Sequence, residues 1–128
     1  MKKQALFTFI AFVFLLTSCA TMQNRSTNMS NYFSQAPDLS KVIYKGGDGK
    51  TLETSVIIKN AGNERTGIAA EYEYIAKKQG IKFTNWQPLG QMTSTKNGKT
   101  FDILNISTIP GNEKITYYFD ITDFYGKF

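Results

Sequence analysis

The chain of 128 residues has no histidine, a single cysteine, three prolines and one tryptophan. Without histidine, Ser-His-Asp and Cys-His nucleophile systems and imidazole-ligated zinc are excluded. Any catalysis would fall to carboxylates, hydroxyls or lysines. One cysteine cannot form an internal disulfide, so the fold has to be held by an apolar core alone. Long apolar runs are also missing. The longest, Ala5 to Leu16 with Thr8 inside it, falls short of the roughly 20 residues that a membrane-spanning helix needs. Positive charge is in modest excess, 15 basic residues against 10 acidic. It is not gathered into a Lys/Arg cluster, so nucleic acid is not an expected partner.

The N-terminus does carry a pattern. Lys2 and Lys3 precede "ALFTFIAFVFLL", and "TSC" closes the segment. A positive start, a short apolar stretch and small residues at its end are the order of an export signal. Leu16-Thr17-Ser18-Cys19 resembles the lipobox of bacterial lipoproteins, with an aliphatic residue three before the cysteine and small residues between. The resemblance implies diacylglycerol on the Cys19 thiol, cleavage before Cys19 and loss of residues 1–18. It further implies a lipid-anchored protein of the bacterial cell envelope. Ala20 stands after the cysteine, and by the usual enterobacterial sorting rule a residue other than Asp there directs a lipoprotein to the outer membrane. Sulfur is needed because it forms a stable thioether. Each buried acyl CH₂ contributes about 0.8 kcal/mol, so two or three chains anchor durably. Without Lys2 and Lys3 the mature chain carries 13 basic and 10 acidic residues, a net of +3.

Residues 19–35 are rich in Ser, Thr, Asn and Gln and bury too little to fold alone, so they read as a tether. About sixteen flexible residues span roughly 20–25 Å. The globular part is expected over 36–128. Strands are expected near 41–45 and 51–59, flanking Gly46-Gly47-Asp48-Gly49 as a turn. In "TGIAAEYEYIAKKQG", Ile68, Tyr72, Ile75 and Ala76 recur at helical spacing, with Asn63 or Thr66 as the cap and Gly80 as the stop. Strands follow near 89–96 and 99–108, joined through Asn97-Gly98, a two-residue hairpin signal. In "KITYYFDIT", Ile115, Tyr117, Phe119 and Ile121 alternate with polar partners and Tyr118. The expected fold is a small α+β domain in the order β-β-α-β-β-β, with one helix on an antiparallel sheet.

Chemistry-bearing candidates are few. Glu71 and Glu73 point about 200° apart on a helix and cannot share a site. Asp102 and Asp120 would come together if the last two strands pair; the competing reading leaves both on a solvated outer face. "KGGDGK" lacks the spacing and the following helix of a phosphate loop, and has too few oxygens for calcium. The last twelve residues hold six aromatics. Tyr118, Phe124, Tyr125 and Phe128, with Trp86, are therefore candidates for a partner-binding surface. The alternative is that the tail, and Trp86 with it, closes the core. The sequence thus leads to a non-catalytic binding or assembly module with no cofactor and no metal site. Its expected partners are the membrane, through Cys19, and an envelope protein or glycan. Alternatives are an inhibitor or immunity-type lipoprotein acting through a protruding loop ("KGGDGK" or "PLGQMTSTKNGK"), and a carboxylate hydrolase.

Overall fold

Asn63 shows how closely local sequence sets this fold. Its side-chain Oδ1 accepts a hydrogen bond from the Thr66 N–H at 2.9 Å and starts helix α1 (Glu64–Gln79). At the other end Gly80, at φ 97°, donates its N–H to Ala76 and stops the helix, with Lys77 and Lys78 in the last turn. The computed structural model describes residues 35–128. The expected signal segment, Cys19 and most of the expected tether lie outside the described residues. Pro37–Phe128 forms one compact unit.

The strands are β1 (Ile43–Gly46), β2 (Val56–Lys59), β3 (Trp86–Lys96), β4 (Lys99–Thr108) and β5 (Lys114–Asp120), with α1 between β2 and β3. This is the expected β-β-α-β-β-β order. In the sheet they run β1-β2-β5-β4-β3. All neighbours are antiparallel except β2 and β5, which pair in parallel at Val56–Phe119 and Ile57–Asp120. The sheet is therefore mixed rather than wholly antiparallel.

β2 begins later than expected because side chains hold Lys50–Thr54 in a turn. Asp48 Oδ1 accepts from the Lys50 N–H at 3.1 Å and from Thr54 Oγ1 at 2.9 Å. Such short-range bonds compete with the ladder for the backbone. The Asn97-Gly98 turn is present as expected, with both residues at positive φ (53° and 74°).

Alternation along β5 is as expected: Tyr117 and Phe119 are buried against the helix, joined across β4 by Leu104 and Ile106. The stripe on α1 is as expected at Ile75, which is buried, and Tyr72, which packs against the core, but not at Ile68. Ile68 is 41% exposed, and the buried residues are Gly67, Ala70, Glu71 and Ile75. Gly67 faces inward because the Phe124 ring lies where its Cβ would be. Trp86 is wholly buried, donates its indole N–H to the Gly80 carbonyl at 2.9 Å and stacks on Tyr72. It plugs the core below the end of the helix.

Candidate functional site

The five aromatics proposed as one surface do not form one. Trp86 and Phe124 are core residues, at 0% and 1% exposure, because their large apolar area closes the two ends of the helix–sheet interface. Tyr118 is half-buried and opposite Ile103 in the ladder, on the sheet face away from α1. Tyr125, 54% exposed, lies on the helix side beside Ile68, and Phe128 is free in solvent. The alternation of β5 sends Tyr118 to the far face, whereas Tyr125 lies in the turn that follows the strand.

Asp102 and Asp120 are likewise separated. The ladder pairs Asp102 with Phe119 and Asp120 with Phe101. Residues directly opposite share a face and successive residues do not, so the two carboxylates point to opposite sides of the sheet. Neither is solvated, each being 4% exposed. Asp120 accepts from Thr122 Oγ1 at 2.6 Å and lies 3.4 Å from Lys99 Nζ.

Asp102 instead meets Glu71. β3 and β4 pair Thr93 with Asp102, placing the Thr93 hydroxyl 2.6 Å from Asp102 Oδ1. Gln91, two residues back and on the same face, donates its amide to Oδ2, also at 2.6 Å. From above, α1 brings Glu71, which lies on the same line as Gly67 and Ile75 and has no exposed surface. Neither Glu71 oxygen receives a hydrogen bond from any donor. Asp102 is within hydrogen-bonding reach, but two carboxylates can bond only through a proton. Burial, then the charge of Asp102 and that shared bond, pushes the Glu71 carboxyl up to about 9, so it is a neutral acid at pH 7. Tyr72 beside it is pushed up as well, first by burial and then by the negative charge of Glu71 and Asp102. Glu73, as its spacing required, faces away from Glu71: it takes the Tyr44 hydroxyl and pairs with Lys77 at 3.0 Å.

Asp102 lines a pocket of about 150 Å³, and Glu71 reaches that pocket only through Asp102. Asp102, Gln91 and Thr93 form its polar side, and Ile68, Ile121 and Phe124 its apolar wall. Glu64 and Tyr125 complete the rim, where the Glu64 carboxylate accepts the Gly126 N–H at 2.7 Å. Among the described residues no three or more Asp, Glu, Cys or His converge on a metal-binding point. At the level of sequence, Glu71 is weighed only against Glu73, and neither Gln91 nor Thr93 is singled out. The available signal was position 71 itself, four before Ile75 and so on its face of the helix.

A second feature needs no pocket. β3 is an edge strand, and every residue from Leu89 to Lys99 is exposed, with Leu89 at 50% and Met92 at 59%. Pro88 and the register shift to Gly90 protect its start, while Gln91–Thr95 is left open. The "KGGDGK" segment, by contrast, is tied down, with Gly49 accepting the Tyr118 N–H at 2.8 Å.

Among the described residues no helix is long and apolar enough to cross a membrane. No family model, curated protein or solved structure matches the chain.

Proposed function

We propose that the protein is a lipid-anchored lipoprotein of the bacterial cell envelope, and a non-catalytic module that binds another envelope protein through the β3 edge. The observation that carries the binding reading is the bare stretch Leu89–Lys99, long, open at its outer edge and bearing two exposed apolar side chains. Such an edge offers backbone groups for strand addition, with alternate side chains for specificity. Charge indicates the kind of partner. From Tyr74 to Phe101 the chain has five lysines and no carboxylate, so an acidic surface is the complement. The anchoring half of the proposal rests on Leu16-Thr17-Ser18-Cys19, from which the outer membrane follows by the sorting rule.

The same hairpin favours a second reading, an inhibitor or immunity-type lipoprotein. A two-stranded tip with apolar atoms exposed on it is a form that enters a groove. The identity of the partner, hydrolase or toxin against assembly component, separates the two.

Two measurements test the proposal. Cys19→Ser is expected to abolish palmitate labelling and release the protein from membranes; a wild type that partitions into water removes the anchor. A photo-crosslinker at position 92 in intact membranes is expected to give an adduct with one identified envelope protein. That adduct should be lost in Leu89→Lys. An unchanged adduct in that variant, or no protein adduct at all, removes the β3 edge from the proposal.

A further inference from the structure

We propose that the pocket between α1, β3, β4 and the C-terminal segment binds a primary ammonium group on a short apolar stem, with Asp102 facing the charge and Glu71 releasing a proton as it arrives. This site stands apart from the anchor and from the docking edge, and can succeed or fail without them.

The walls indicate the class of ligand. Ile68, Ile121 and Phe124 suit a few carbons of stem, and the polar side presents Asp102 with the amide and hydroxyl that orient it. No cationic side chain lines the pocket, while two carboxylates, Asp102 and Glu64, do. A metal ion would find too few converging oxygens, because no acidic triad is present among the described residues.

Glu71 is the independent observation. A carboxyl with no exposed surface, reached by no donor and partnered only by another carboxylate through its own proton, is rare in a native interior and calls for a reason. Structural needs alone would be met by a glutamine, which can donate to Asp102 without a titrating proton. A cation beside Asp102 supplies the reason. It stabilises a second negative charge, so the Glu71 O–H bond breaks, its electron pair stays on the carboxylate and the proton goes to solvent. The groups facing Glu71 are Asp102 from β4, whose charge resists its ionisation until a cation is present, and Tyr72 from its own helix, whose hydroxyl is itself pushed up and stays neutral.

The test uses Pro37–Phe128, a compact unit with its own core. Titration calorimetry with n-butylammonium, in buffers of differing ionisation enthalpy, is expected to show binding with release of up to one proton. Affinity should rise by up to about tenfold per pH unit between about pH 6 and 8. The neutral isostere n-butanol should not bind. Glu71→Gln should bind with no proton release and a flat pH dependence. Asp102→Asn should bind at least about tenfold more weakly, the loss expected on removing a charged hydrogen-bond partner. Ile68→Trp, at a half-exposed wall position where folding is not at stake, should block the pocket. Nα-acetyl-lysine N-methylamide compared with butylammonium separates a partner's side chain from a free amine, and tighter binding of either one supports the site. No binding of either amine, equal binding of butanol, or binding without proton release in the wild type would overturn the proposal.

Discussion

Glu71→Gln is expected to make the domain more stable at neutral and mildly alkaline pH, and to abolish most of the stability loss that the wild type shows between about pH 5 and 9. The folded state holds the Glu71 proton up to about pH 9, whereas the unfolded chain gives it up near 4.5. A raised folded-state value means that the stabilisation is complete below the unfolded value and declines as pH rises toward the folded one. Each pH unit in that window costs about 1.4 kcal/mol. At pH 7 the accumulated loss is of order 3–4 kcal/mol, a large part of the stability of a small domain. Glutamine keeps the shape, donates to Asp102 and has nothing to titrate. The acid arm belongs to other groups. Asp123, held low mainly by the Asn60 N–H, and Glu73, held low mainly by the Tyr44 hydroxyl, lose their stabilising contribution as pH falls below the ordinary carboxylate range. Urea titrations between about pH 3 and 9, below the range in which the tyrosines titrate, should give a wild-type profile with two falling sides and a variant with only the acid one. Parallel curves for the two proteins would mean that Glu71 is ionised in the fold.

Gly67→Ala is expected to destabilise the domain by about 2 kcal/mol, although it replaces a poor helix former with the best one. Propensity alone predicts a gain of about 1 kcal/mol. Against it stands the ring of Phe124, which occupies the volume a Cβ needs, and Phe124 is itself 1% exposed and closed in by the core. Neither α1 nor the C-terminal segment can shift freely. The Glu64 N–H donates to the Lys127 carbonyl at 2.8 Å, and the Gly126 N–H to the Glu64 carboxylate. Phe124→Leu should lose packing when made alone but relieve Gly67→Ala when combined with it, giving a coupling above about 1 kcal/mol in a double-mutant cycle. A stabilised Gly67→Ala would show that the helix and the tail are not in contact there.

These two positions also explain what the sequence could and could not disclose. Strand and helix order was legible because its signals are local: Asn63 and Gly80 at the ends of α1, Asn97-Gly98 between β3 and β4, and alternation from Ile115 to Ile121. The inward face of α1 was not, because it is built from residues that do not look like core. Gly67 is buried since a ring from 57 positions later needs its backbone, and Glu71 since it meets a carboxylate on β4. Both reasons are tertiary, and they leave Ile68, the most apolar residue of that turn, outside. The pairing of Asp102 with Asp120 failed on parity. Opposite positions in the ladder are 102 with 119, and one step along a strand changes the face. Parity also divided the aromatics of β5, with Phe119 going to the core and Tyr118 to the other face, while Phe124 reaches the core from the turn beyond the strand.

The position of β5 has a consequence for the order in which the protein comes into being. The β1-β2 hairpin and the β3-β4 hairpin share no strand pairing with each other, and both pair with β5. That strand is the last of the five in chain order, so it leaves the ribosome after all its partners. A chain cut short before Lys114 is not most of a domain but two ribbons with nothing between them. The sheet therefore closes only when its last strand is available, by insertion of that strand into the middle.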